Sequence, residues 1–245
     1  MQRKQQRDTF YQIRRELLPG FSFDEAVAEV FDDMINRSVP GYAHVTAMSG
    51  LLAGQFVQPD THVYDLGCSL GASLLSVLDQ VSPKRWMLTG IDTSPSMLER
   101  CHEHLLRAGY ADKATLCCED ITTFNYQPAS WIMMHYTLQF IDPSKRDALI
   151  ETLYHALIPG GALLVSEKVA EEDDELHHLI DELHLDFKRA NGYSDLEISQ
   201  KRTALENFLV PETVAAHLER FERCGFKHAV CWFRSLNFCS FLAVK

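Results

Sequence analysis

The chain has 245 residues, 46% of them hydrophobic and 23% charged, which is the balance of a globular fold of one ordinary to large domain. Its formal net charge of −11 argues against tight, direct binding of a nucleic-acid backbone, whose affinity comes from clustered Lys and Arg. No run reaches the length of a membrane span, and seven cysteines without a CxxC pair suit reduced thiols in the cytoplasm. Residues 1–23 form a basic arm that lacks the apolar stretch of a secretory signal and reads as solvated. A single α/β domain is expected over 24–245. It opens with helices across 24–57: Asp24 caps the first, whose Val27, Val30, Phe31, Met34 and Ile35 recur at helical spacing. "SVPGY" breaks the pattern, and a second helix runs through Val45, Met48, Leu51, Leu52 and Phe56.

Strands and helices then alternate. "HVYDL", "WMLTGID", "ATLCCED", "SWIMMHY" and "ALLVSEK" read as strands, separated by helices that Pro95 and Pro143 help to start. Such alternation implies a parallel sheet with helices on both faces. Cys117 and Cys118, adjacent in an apolar run, are expected in the core. Residues 171–209 contain no strand pattern and read as a helical insertion over the sheet. Its first helix is acidic, with Leu176, Leu179, Ile180, Leu183 and Phe187 on one face; Ser194 and Glu197 form a capping box for the next. His177, His178 and His184 have no ligand partners at metal spacing and are expected on solvated faces, so no metal is assigned. Two closely spaced β-rich runs end the chain and suggest a hairpin, hence one antiparallel strand.

The stretch "VYDLGCSLGASL" determines the ligand class. A dinucleotide fingerprint needs GxGxxG and a P-loop needs GxxxxGK[ST]; the spacing of Gly67 and Gly71 meets neither. Asp65, ahead of the glycines, would repel a phosphate but accept hydrogen bonds from a ligand ammonium. That matches the methionine end of S-adenosylmethionine. Asp92 ends the second strand, at the edge where open α/β sheets bind ligands, and suits ribose hydroxyls. Glu119, Asp120 and Ile121 end the third, where an acid can take the adenine amine and an aliphatic chain can flank the ring. Each acid alone could be a helix cap or turn residue. Three in register form a constellation.

These features resemble the class I S-adenosylmethionine-dependent methyltransferase fold: Rossmann-like, with a mostly parallel seven-stranded sheet and one antiparallel strand. "MMHYTLQF" lacks the Asn/Asp-Pro-Pro-aromatic motif of nucleic-acid amino-methylating enzymes, which leaves the small-molecule branch. "FDEAVAEVFDDMINRSVPGY", "YTLQF", "PGGALLVSEK" and "LDFKRANGYSDLEISQKRTALEN" sharpen the likeness, from about Phe23 to the C-terminus. Together they resemble the carboxy-S-adenosyl-L-methionine synthase family.

That resemblance implies an enzyme that binds S-adenosylmethionine and prephenate and moves carbon dioxide from prephenate onto the methyl carbon. Carboxy-S-adenosylmethionine and phenylpyruvate are the implied products, and a separate carboxymethyl-transferring enzyme uses the first at tRNA wobble uridine. Prephenate is expected to assist proton removal, so no protein base is assigned. The resemblance places Tyr42 on the cofactor, Gly67, Cys68 and Ser69 along its methionine and ribose side, and Asp92 and Thr93 on the ribose. It places Asp120 and Ile121 on the adenine and His135 where the family commonly has Asn. Arg202 would pair with the product's carboxylate, reaching across the interface of a homodimer. An ordinary small-molecule methyltransferase and a non-catalytic cofactor-binding module are the competing readings.

Overall fold

A computed structural model describes residues 8, 23–82, 85–205 and 208–245, the side chains of 201–205 excepted. Two helices precede the sheet, α1 (Glu25–Ser38) and α2 (Tyr42–Phe56). Asp24 caps α1 by accepting from the Val27 amide, and Gly41 turns the chain into α2 at φ +85°. Strand and helix then alternate through β1 (His62–Leu66), α3 (Ala72–Gln80), β2 (Met87–Asp92), α4 (Pro95–Ala108), β3 (Ala114–Cys118) and β4 (Ala129–His135). A 3-10 turn over Leu138–Phe140 leads to α5 (Pro143–Ala156) and the long β5 (Leu157–Ala170).

The insertion supplies α6 (Asp174–Ala190) and α7 (Asp195–Leu205), followed by β6 (Glu212–Thr213), α8 (Val214–Arg223), β7 (His228–Ser235) and β8 (Phe238–Val244). The capping box forms as expected: Ser194 donates through its amide and hydroxyl to Glu197 Oε2, at 2.7 and 2.6 Å, and accepts from the Glu197 amide. The sheet order is β3-β2-β1-β4-β5-β8-β7, and β8 runs antiparallel to both neighbours. An eighth strand, the two-residue β6, pairs with the end of β5 and was not expected. "IPGG", whose Pro and Gly pair has the composition of a turn, lies within β5: Ala129 pairs with Leu157 and Trp131 with Ala162, so the register shift absorbs the extra residues.

Period-two alternation divides β4 between the two faces. Trp131 and Met133 join Val63, Leu74 and Leu164 in one cluster; Ile132 and Met134 join Tyr64, Leu149, Ile150 and Phe241 in the other. Both faces are covered, so "WIMM" is continuously apolar rather than alternating. Edge position explains one departure: Cys118 ends β3, the outermost strand, and is exposed, while Cys117 is half-buried.

The arm assigned to residues 1–23 lies outside the described residues except at Asp8 and Phe23. At Asp8 the chain is buried rather than solvated: its amide donates to Asp33 Oδ2 at 2.8 Å and its carboxylate accepts from the Tyr193 hydroxyl at 2.7 Å. Among the described residues no helix is long and apolar enough to cross a membrane.

Candidate functional site

At the carboxyl ends of β1, β2 and β4 lies a cavity of about 870 Å3, bounded by α1, α6 and the chain around Leu209. Parallel strands all end here, so every strand-to-helix loop delivers its first residues to one rim. Of the expected residues, Tyr42, Gly67, Cys68, Ser69, Asp92, Thr93, Asp120, Ile121 and His135 all line it, as does Asp65. Arg202 belongs to α7, and its side chain lies outside the described residues.

The loop after β1 is held by its backbone. Gly67 and Cys68 donate to the Ile91 carbonyl at 2.8 and 3.0 Å, and Gly67, Ser69 and Gly71 adopt φ of +76°, +49° and +81°. A Cβ at Gly67 would overlap Thr137 Oγ1. Replacing Gly67 with valine therefore forces both a disfavoured backbone and a clash at the ligand wall. The expected result is a loss of about 2–4 kcal/mol in unfolding free energy and of measurable S-adenosylmethionine binding, read by denaturant melts and equilibrium dialysis.

Three of the carboxylates that line the cavity, Asp65, Asp92 and Asp120, are in three different states. Asp65 is 2% exposed and its Oδ2 has no hydrogen-bond partner. Burial, and then the nearby Asp92, push its pKa up to about 8. Asp92 accepts from the Ser69 and Ser94 amides, each at 2.9 Å, so it ties the glycine loop to the start of α4. Its pKa is also raised by burial, which the backbone donors oppose. Asp120 is exposed, with its pKa held low by Thr122, whose amide and hydroxyl both donate to Oδ1 at 2.8 Å. Asp120 thus performs the turn role that a lone acid would have, while still lining the cavity. An orphaned carboxylate beside a second acid is costly unless a cation completes it. The ammonium and sulfonium of S-adenosylmethionine are such cations, so the residues present fit this substrate.

His135 sits fully inside a hydroxyl chain. Ser49 Oγ donates to the Val45 carbonyl, so it accepts from His135 Nε2 at 2.8 Å. Nδ1 is then the acceptor for Ser166 Oγ at 2.8 Å, and Ser166 in turn meets Ser240 at 2.7 Å. Burial pushes the ring's pKa down to about 4, so it is neutral at pH 7. With both nitrogens engaged, His135 offers a ligand ring surface and no free donor.

Tyr42 opens α2 with its ring 6.1 Å from that of Tyr136; burial and then the charges of Asp32 and Asp65 raise its pKa. Cys68 is buried beside Cys101, and its thiol is pushed well up by that contact and by burial, which matches a packing role. Thr93 is exposed at the rim, whereas Ile121 is 5% exposed in the core.

Several contributors were not found from sequence. Tyr136, a non-glycine residue at φ +57°, stands between Tyr42 and Phe238 on the cavity wall. Glu167, 1% exposed, accepts from the amides of Thr137, Leu138 and Gln139 at 3.2, 2.8 and 3.1 Å. Burial raises its pKa to about 8 against the pull of those donors. The signal available was a charged pair, Glu167-Lys168, inside an otherwise apolar strand. Of the histidines of α6, His178 is exposed as expected and His177 partly so, whereas His184 is not. His184 is 5% exposed, contacts the Ser38 carbonyl at 2.8 Å, packs edge-on to Phe238, and has its pKa pushed down to about 3 by burial. His177 and His178 line the cavity.

Residues 63–161 match a methyltransferase-domain family model. A carboxy-S-adenosyl-L-methionine synthase of Shewanella woodyi is 47% identical over 238 residues, covering 97% of this chain and 98% of the relative. One from Salmonella arizonae is 46% identical over 239 residues, covering 98% and 97%. The chain belongs to the carboxy-S-adenosyl-L-methionine synthase family. Solved structures agree on the fold. An S-adenosylmethionine-dependent methyltransferase of Methanococcus maripaludis superposes with a TM-score of 0.61 at 16% identity, covering 93% of this chain and 95% of that one. Human N-acetylserotonin methyltransferase in complex with SAM gives 0.60 at 18%, covering 90% and 55%. Family membership therefore rests on the full-length relatives, and the structures add the class I architecture.

Proposed function

We propose that the protein converts S-adenosylmethionine and prephenate to carboxy-S-adenosylmethionine and phenylpyruvate. The observation that carries this reading is the pairing of a cation-seeking site, the orphaned Asp65 carboxylate, with near-full-length similarity to carboxy-S-adenosyl-L-methionine synthases. The chemistry balances with no added reagent. Prephenate loses carbon dioxide and hydroxide to become phenylpyruvate. The hydroxide takes a proton from the sulfonium methyl, and the resulting carbanion captures the carbon dioxide, with water as the third product. A shared cavity favours this order, because the carbon dioxide is released beside the methyl carbon that captures it.

In this reading Asp65 takes the ammonium, Asp92 and Thr93 the ribose, and Asp120 and Ile121 the adenine. Gly67, Cys68 and Ser69 line the methionine side, and Tyr42 and His135 close the wall. Arg202 pairs with the new carboxylate, and a homodimer brings it across the subunit boundary. Support for the homodimer comes from α6, where Leu176, Leu179 and Leu183 are 41%, 54% and 42% exposed on a face the monomer leaves uncovered. The charge of −11 suits a protein that supplies a modified cofactor to a tRNA-modifying carboxymethyl transferase without gripping tRNA itself. Free cysteines throughout suit a cytoplasmic setting.

Mass spectrometry of the small molecule released on denaturing the purified protein tests the function. A ligand heavier than S-adenosylmethionine by one carbon dioxide is the expected result. If S-adenosylmethionine alone is released, and incubation with prephenate forms no carboxylated product, methyl transfer becomes the better reading.

A further inference from the structure

The cofactor wall of the cavity offers the carboxylates of Asp65, Asp92 and Asp120, whereas the side built by β5 and α6 joins the acids Asp181 and Glu182 to the cations Lys168 and Lys188. Lys168 follows Glu167, which holds the Thr137–Gln139 turn, and the Thr137 hydroxyl reaches the Leu66 carbonyl beside the glycine loop. One turn of chain thus separates Lys168 from the cofactor loop, within a single cavity. Its Nζ donates to Asp181 Oδ1 at 3.2 Å, with the two side chains 21% and 31% exposed. Asp181 has other partners: Asn237 Nδ2 donates to it at 2.8 Å, and His177 Nε2 lies 3.7 Å away. It would keep these if Lys168 turned to another anion. Phe140, Leu185 and Phe238 supply apolar surface around the same cavity.

We propose that Lys168 binds a carboxylate of the second substrate, a ring-bearing dicarboxylic acid, and that Asp181 is the internal counter-anion Lys168 exchanges for it. This assignment rests on the function proposed above. A lysine facing a cavity needs a counter-anion while the site is empty, and a partly exposed pair can be exchanged for another anion at lower cost than a fully buried one. In the exchange the substrate carboxylate replaces Asp181 on Lys168, while Asp181 keeps the hydrogen bond from Asn237.

The pair gives a test that separates binding from bracing. A structural strut between α6 and the sheet breaks when either side chain is changed, so both substitutions would act in the same direction. An anion site with an internal competitor gives opposite directions. Lys168→Met is expected to raise KM for prephenate about tenfold or more. Lys168→Arg should retain most of the wild-type value. Asp181→Asn is expected to lower KM about two- to fivefold. The dissociation constant for S-adenosylmethionine, from equilibrium dialysis, stays unchanged in all three. Should Lys168→Met fail to fold, Asp181→Asn still decides: a lowered KM for prephenate supports the exchange, and an unchanged or raised one overturns it. A wild-type protein that forms no carboxylated product overturns the function and this assignment with it. Product formation with a KM that both Lys168→Met and Asp181→Asn raise, or that Lys168→Met leaves alone, overturns this assignment only.

Discussion

Asp65→Asn is expected to abolish S-adenosylmethionine binding while raising the melting temperature of the ligand-free protein. Both effects come from one group. Asp65 is fully buried at the end of β1, one oxygen has no partner, and burial with Asp92 nearby pushes its pKa up to about 8. Its folded pKa lies above the unfolded value, so the stability it contributes is complete below about pH 4 and is lost as pH rises to 8. Asparagine removes that dependence. At pH 8 the variant should be more stable by about 1–2 kcal/mol, or roughly 2–8 °C in melting temperature for a chain of this size. The same change deletes the anion that an ammonium completes, and should weaken binding about 100-fold or more.

Ligand binding by the wild type should carry the matching pH signature. Below pH 8 a proton must leave Asp65 before the cation enters, so affinity falls as pH is lowered from 8 to 6, by up to about tenfold per unit. Melting curves and dialysis at pH 5, 6, 7 and 8 supply both readouts. An Asn variant that binds S-adenosylmethionine like the wild type would remove Asp65 from the site.

Glu167→Ala should produce the largest loss of stability among single changes near the cavity. The carboxylate is the acceptor for three consecutive amides that start the 3-10 turn at Leu138, and alanine leaves those buried donors without it. Each unsatisfied buried donor costs about 1–3 kcal/mol, and because the three can relax together, a total of about 4 kcal/mol is expected. The turn carries Thr137, against which Gly67 packs, so cofactor affinity should fall with stability. Glu167→Gln keeps one acceptor and should recover part of both. Urea melts of the two variants measure this; equal stability of Glu167→Ala and wild type would show that water satisfies the turn instead.

Much of this site was legible because its signals are local. Strand alternation, the cap at Asp24, the prolines that start α4 and α5, and the acids at the ends of β1, β2 and β3 are short-range features. Parallel topology then brings every strand end to one rim, so Asp65, Asp92 and Asp120 converge without further information. His184 was misread for the complementary reason. Its helix has an acidic face and an apolar face, yet the ring is buried by a carbonyl from α1 and a ring from β8, neither near it in sequence.

Spacing and motif along the chain carry the sheet class, the single antiparallel strand, the acids at the strand ends and the family. Packing then settles which of those groups are already occupied. It left Asp65 Oδ2 without a partner, engaged both nitrogens of His135 with serines, and paired Lys168 with Asp181 on the cavity wall. Partnership between side chains depends on contacts between residues 13 to 86 positions apart, which the packing of helices on the sheet creates. No local pattern in the chain encodes those distances.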